Sequence, residues 1–174
     1  MPRLTLPDGS VREFDGSVSG AEVAALIGPG LAKAAVMVKL DGVERDLSHK
    51  IEQDSAIEIV TRDSDDGLQL LRHDCAHVLA EAVQELFPGT QITFGPAIDD
   101  GFYYDFHREE AFTPEDFEVI EKRMAEIVDR DETITREVWD RADAVKFFEE
   151  IGETFKADHV AGLPEGEEIS MYRQ

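Results

Sequence analysis

Six consecutive residues, Arg62-Asp63-Ser64-Asp65-Asp66-Gly67, carry no apolar side chain. Such a run has nothing to bury, so 62–67 reads as a linker or the start of a helix, and as a domain boundary. The 174 residues then divide into two units, 1–61 and 68–174, of roughly 60 and 110 residues, each obliged to bury a core of its own. With 42% apolar and 32% charged residues, both have the composition of ordinary folded domains.

Residues 1–61 alternate. Leu4 and Leu6 precede the turn residues Pro7-Asp8-Gly9-Ser10, and Val11 to Phe14 return, which predicts a hairpin. Ser19 followed three residues later by Glu22 is a capping-box spacing ahead of Ala21, Val23, Ala24, Leu26 and Ile27, and Gly28-Pro29-Gly30 stops that helix. Val36, Val38 and Leu40 alternate again, Asp41-Gly42 suits a two-residue loop, Val43 starts a returning strand, and Ala56 to Val60 form a fifth. A small mixed sheet gripping one helix is the packing this order favours, since the helix has one apolar stripe to bury.

From residue 68 the period changes. A helix over about 68–87, ended by Pro88-Gly89, has Leu71, Cys75, Val78, Leu79, Ala82 and Leu86 at three- and four-residue spacings. That stripe places Cys75 on the core side. Ile92 to Phe106 reads as strand and turn. Thr113 caps a helix with Pro114 in its first position and Phe117, Ile120, Met124 and Ile127 as its buried stripe; Glu118 and Lys122 form an i,i+4 pair. Thr133 to Trp139 reads as a strand, Ala142 to Ile151 as a short helix, and the remainder as strand and loop. No internal repeat or low-complexity segment occurs.

His73 and His77 carry the sharpest chemical signal. At i and i+4 they project from one helix face, flanked by the small Ala76 and Ala80, near enough to share one metal or one small ligand. Position 74 is Asp, so the base of a thermolysin-like zinc protease is missing. Two histidines form at most a half-site for a metal, and the spacing alone also suits an ordinary solvated helix face. A second feature runs from Thr93 to Asp105, where Gly95 and Gly101 permit close backbone approach and Phe102-Tyr103-Tyr104 offer a flat stacking surface. A plain hairpin with aromatics in its core fits the same residues. Lys156 follows an acidic helix and by itself reads as solvated. His49, His107 and His159 have no partner at ligand spacing. There is no P-loop, nucleophile elbow or dinucleotide fingerprint, so no site for ATP is visible.

Charge narrows the partners. The formal net charge is −22, and residues 62–174 hold 11 basic against 29 acidic side chains. That excludes a free-standing nucleic-acid clamp, which needs Lys and Arg against phosphate. The start MPRLTLPDGS has no apolar signal core, and no run approaches a membrane span. A single cysteine rules out an internal disulfide framework and makes a reduced, cytoplasmic setting the default.

With Arg72-His73-Asp74-Cys75-Ala76-His77-Val78-Leu79-Ala80, Phe94-Gly95-Pro96-Ala97-Ile98-Asp99-Asp100-Gly101-Phe102-Tyr103-Tyr104-Asp105, Glu121-Lys122-Arg123-Met124 and Phe155-Lys156 in view, the whole chain resembles the N-terminal part of bacterial threonyl-tRNA synthetases. Residues 1–61 resemble the family's TGS module, a β-grasp, ubiquitin-like fold. Residues 68–174 resemble the first part of its α+β editing domain, with a long histidine-bearing helix. The resemblance implies hydrolysis of serine wrongly attached to threonine tRNA. It implies His73, His77 and Lys156 as catalytic residues, His73 positioning or deprotonating the water. Gly95 and Tyr104 would receive the terminal adenosine. It further implies a Cys-x-x-x-His half-motif downstream of Gln174, and elsewhere in the parent enzyme a catalytic domain holding ATP, threonine and zinc, an anticodon-binding domain and the homodimer contacts. This chain is therefore expected to be a piece that needs no cofactor of its own, can be monomeric, and meets tRNA weakly. Other classes stay open: a TGS-type docking or regulatory module with a structural second domain, or a metal-binding protein using the histidine pair.

Overall fold

Turn chemistry sets the first of two compact units, Met1–Leu71, in the computed structural model, which describes residues 1–93 and 95–173. Strands β1 (Arg3–Thr5) and β2 (Val11–Glu13) form the expected hairpin, with Arg3 opposite Glu13 and Thr5 opposite Val11. A short β3 (Val18–Ser19) leads into helix α1 (Gly20–Ile27). The cap read from the sequence is built: the Ser19 N–H donates to Glu22 Oε2 at 2.7 Å, and the Glu22 N–H donates to Ser19 Oγ at 3.3 Å. Gly28 does stop α1, but Pro29 at once opens a second helix that the sequence reading left out, α2 (Pro29–Ala34). Pro in the first helical turn loses no hydrogen bond, so a Gly-Pro break can also be a start.

Strands β4 (Ala35–Leu40) and β5 (Val43–Arg45) turn at Asp41 and Gly42, both with positive φ, 49° and 83°. After β6 (Lys50–Ile51), which pairs with β3, comes β7 (Ser55–Thr61). The five-stranded sheet runs β2-β1-β7-β4-β5 with β1 and β7 parallel, the β-grasp arrangement. Its core joins Leu4, Val18, Val38, Ile51 and Ile57 to Val23 of α1. Gly20 is needed here, because a Cβ would stand 2.5 Å from Val38 Cγ1.

The segment 62–67 is not a free linker. Arg62 to Ser64 turn, and helix α3 (Asp65–Leu86) starts three residues earlier than its apolar pattern does. Ser64 accounts for this: its Oγ accepts the Gly67 N–H at 3.1 Å, while Asp65 and Asp66 lie at the positive end of the helix dipole. Gly67 sits so close to β7 that a Cβ would be 2.0 Å from the Thr61 carbonyl oxygen. The compact units divide within α3, between Leu71 and Arg72.

In the second unit, Arg72–Gln174, α3 buries the later part of the predicted stripe: Ala82 is fully buried, and Val78, Leu79 and Leu86 pack on the same core. Leu71 and Cys75 are exposed, and Ala76, Ala80, Ala82 and Val83 are buried. Two-stranded pairs follow: β8 (Gln91–Ile92) with β11 (Phe106–His107), and between them β9 (Ala97–Ile98) with β10 (Gly101–Phe102). Helix α4 (Pro114–Asp129) is capped by Thr113 with Asp116 and packs Ile120 and Ile127 on Ala82 and Val83. Phe117, read as core, is exposed, and Lys122 pairs with Glu126 at 3.9 Å. The core begins a turn further along α4, where Ile120 meets α3.

Strand β12 (Thr135–Trp139), helices α5 (Arg141–Glu150) and α6 (Thr154–Gly162), and strand β13 (Ile169–Arg173) complete the unit; β12 pairs with β13. Their core is Ala144, Phe148, Ala157, Val160 and Ile169. Helix α6 stands where the sequence reading had only strand and loop. Nine residues with two buried positions leave too short a pattern for periodicity to detect. Among the described residues no helix is long and apolar enough to cross a membrane.

Candidate active site

Residues four apart on a helix stand one above the other, and the histidines use this to meet. His73 Nε2 and His77 Nε2 are 3.0 Å apart, with the rings edge to face at 84°. A hydrogen bond between two such nitrogens requires one ring to carry its proton there and the other to offer a lone pair. The donor ring is then left with a bare Nδ1. The acceptor ring carries its proton on Nδ1.

Both histidines reach solvent, yet the inner side of His77 is packed. Burial holds its pKa below the ordinary 6.5, and the nearby charges of His73 and Lys156 press in the same direction. Lys156 comes from the first turn of α6, with its ammonium nitrogen 5.6 Å from the Phe148 ring centre. Half-buried, it too is held below its ordinary range, chiefly by burial, while the Glu153 carboxylate pulls the other way.

The stretch from 93 to 105 is closed at its base. The Thr93 N–H and hydroxyl both donate to the Asp105 carbonyl, at 3.2 and 2.6 Å. Arg72 reaches from α3 to the Ile98 carbonyl at 3.4 Å. Inside this loop the Tyr104 ring stacks on Phe106 at 4.9 Å and 21°, and covers Gly95 so closely that a Cβ would stand 2.0 Å from Tyr104 Cδ2. Burial, and then the Glu153 charge, push the Tyr104 hydroxyl up to about 12, so it is a neutral donor at physiological pH. Tyr103 is exposed. Phe94 lies outside the described residues.

The five candidate residues therefore fall in one unit and form a linked series. His73 bonds His77, His77 senses Lys156, Lys156 and Tyr104 both sense Glu153, and Tyr104 covers Gly95. Glu153 is the member that sequence reading passed over. It follows Glu149 and Glu150, a run that looks solvated, but is only 6% exposed. Gln84, two turns beyond His77, donates to its Oε1, and the Ile92 N–H donates to its Oε2 at 3.3 Å. The available signal was Gly152, with φ 81°, which turns the chain between α5 and α6 and puts Glu153 at the start of a new helix.

Two nitrogens do not make a four-coordinate metal site. Among the described residues no group of three or more His, Cys, Asp or Glu side chains converges as a metal cage would. What the arrangement does offer is a proton acceptor, a cation and a flat ring packed over a glycine.

Residues 2–61 match the TGS domain model. Over all 174 residues the chain is 59% identical to a threonine–tRNA ligase of Gluconobacter oxydans (strain 621H), 60% to one of Parvibaculum lavamentivorans and 56% to one of Rhodospirillum rubrum. Each match takes in the whole of this chain and 27% of the relative, so the chain spans about a quarter of the length of these relatives.

Proposed function

We propose that this chain, which corresponds along its whole length to the TGS-containing N-terminal region of bacterial threonine–tRNA ligases, carries the site at which such a ligase hydrolyses serine misattached to threonine tRNA. The need is energetic. Serine lacks one methyl of threonine, and a methyl(ene) gives a pocket only ~1–3 kcal/mol of discrimination. Serine enters any pocket built for threonine, so accuracy requires a second, hydrolytic site.

The chemistry is attack of water on the ester that joins the amino acid to the terminal ribose. In the hydrogen-bonded pair, the ring that donates at Nε2 keeps a bare Nδ1, which takes the proton of the attacking water. The positive charge that results is shared through the same hydrogen bond with the second ring. His73 is the ring assigned to the water, and His77, held neutral by its surroundings, is the one that steadies it. The Lys156 ammonium supplies positive charge where the ester carbonyl oxygen becomes an oxyanion; as that intermediate collapses, the acyl–ribose C–O bond breaks and the imidazolium returns its proton to the departing ribose oxygen, releasing serine and free tRNA. Tyr104, packed over Gly95 and on Phe106, is the side of the site assigned to the terminal adenosine.

The meeting of the histidine pair with Lys156 in one unit carries this reading. Threonine tRNA, the remaining three quarters of the ligase, and the ATP and zinc of its catalytic part are the partners it implies, in the cytoplasm. The test is single-turnover hydrolysis of seryl-tRNA by the full-length protein. His73→Ala should lose about 10²–10⁴-fold in hydrolysis, the usual contribution of a general base, with threonine attachment intact. Undiminished hydrolysis in that variant would remove the assignment.

A further inference from the structure

Glu153 is a carboxylate withdrawn from water, which is costly unless hydrogen bonds and an opposite charge compensate it. Both compensations are present. One oxygen accepts from Gln84 of α3 and the other from the Ile92 N–H of β8, while the Glu153 backbone carbonyl accepts the Ala157 N–H inside α6 at 3.0 Å. Thr154 adds a second tie to the same strand, its hydroxyl donating to Gln91 Oε1 at 2.8 Å. The first turn of α6 is thus fastened to β8 and to α3, the helix that carries the histidines, and Lys156 is the cation of that turn.

We propose that Glu153 is the positioning residue for Lys156: its buried carboxylate locks the start of α6 to α3 and β8 and provides the countercharge that holds the ammonium toward the histidine pair. The electrostatics agree. The charged groups that bear on Lys156 and His77 are Glu153 and His73, and the Glu153 charge favours the ammonium that burial disfavours. Glu153 also bears on the Tyr104 hydroxyl, so one carboxylate faces both the cation and the aromatic side of the site. The consequence for catalysis rests on the deacylase reading; the position and charge of Lys156 do not.

Glu153→Gln separates charge from shape. The new amide can accept the Ile92 N–H and donate to Gln84, whose own amide turns over to accept, so the ties persist while the charge is lost. The six lysines of the chain can be dimethylated with ¹³C-formaldehyde and read by NMR in the 174-residue chain, with Lys156 assigned from Lys156→Arg. The Lys156 midpoint should fall by about one pH unit in Glu153→Gln, a tenfold shift toward the neutral amine, as expected when a neighbouring opposite charge is removed. The other five lysines should stay in place. A Lys156 midpoint unchanged in a folded Glu153→Gln chain overturns the proposal. Turnover is not the readout, so failure here leaves the deacylase reading standing, and absence of seryl-tRNA hydrolysis would leave a positive NMR result standing.

Discussion

Gly95→Ala tests the proposed adenosine side of the site most sharply, because its effect follows from three distances. A methyl at position 95 would lie 2.0 Å from Tyr104 Cδ2, 2.4 Å from Cε2 and 2.7 Å from Cγ. Ordinary van der Waals contact starts at 3.4 Å, so the ring must withdraw by about 1.4 Å. It cannot do so freely, since it stacks on Phe106, which packs against the α3–α4 core. Forcing one extra carbon into such a place costs about 1–3 kcal/mol of stability. A reacting group misplaced by an ångström costs on the order of 10²-fold in rate. The assay is seryl-tRNA hydrolysis by the full-length protein at varied tRNA concentration. If Tyr104 receives the terminal base, KM should rise more than kcat falls. Gly30→Ala is the control, because no atom lies within 4 Å of a Cβ there, and it should leave hydrolysis unchanged. A Gly95→Ala protein that hydrolyses seryl-tRNA with KM and kcat within twofold of the wild type would show that the Tyr104 ring does not receive the terminal base.

Further outcomes follow from single groups. His77 is held below 6.5, so between its folded value and 6.5 the unfolded chain binds more protons. Its contribution is complete above 6.5 and is lost as pH falls toward the folded value. His77→Gln should therefore flatten the slope of Tm against pH between about pH 7 and pH 5, and an unaltered slope would contradict the packing of its inner side. Ser19→Ala removes the α1 cap and should destabilise the first unit by about 1 kcal/mol, read by the thermal melt of Met1–Leu71; no change would mean the capping box is not formed in solution. Cys75 is exposed, so it should react with a disulfide reagent in the native chain as fast as in the denatured one, and a protected thiol would put it back on the core side.

The first unit was legible because its signals are local. A capping box, an Asp-Gly turn and strict alternation each act over a few residues, and each appears where it was read. The second unit was legible in its elements and less so in its faces. Leu71, Cys75 and Phe117 were assigned to the core because they are apolar, but burial is decided by the partner surface, and α4 packs on α3 at Ala82 and Val83, with Val78, Leu79 and Leu86 beside them, leaving Leu71 and Cys75 exposed. Of the candidate site, the histidine pair was visible because four residues is a helical repeat. Its link to Lys156 depends on a helix too short to show a period and on a carboxylate hidden in an acidic run. A buried Glu and a solvated Glu are the same letter; only Gln84 and the Ile92 N–H, 69 and 61 residues away, distinguish them.

The charges of the second unit bear on how such a site would meet RNA. Residues 72–174 hold 26 acidic side chains against 10 basic ones, and several of the basic ones are engaged within the fold. Arg123 and Arg130 bridge α4 to Glu81 and Glu85 of α3, Arg136 pairs with Glu168, and Arg141 donates to the Val160, Leu163 and Pro164 carbonyls. Arg108 is stacked between Phe87 and Phe112. Phosphate affinity scales with the cations left to neutralise it, so this surface repels a nucleic-acid backbone more than it holds one. On the proposed function the unit reads one terminal nucleotide and its ester by stacking and by the Lys156 charge, while the grip on the tRNA comes from the rest of the ligase. Raising salt should then weaken overall binding of tRNA to the full-length protein while leaving the single-turnover rate of ester hydrolysis, measured at saturation, nearly unchanged. A hydrolytic rate falling as steeply with salt as the affinity would place phosphate contacts inside this unit and refute the division of labour.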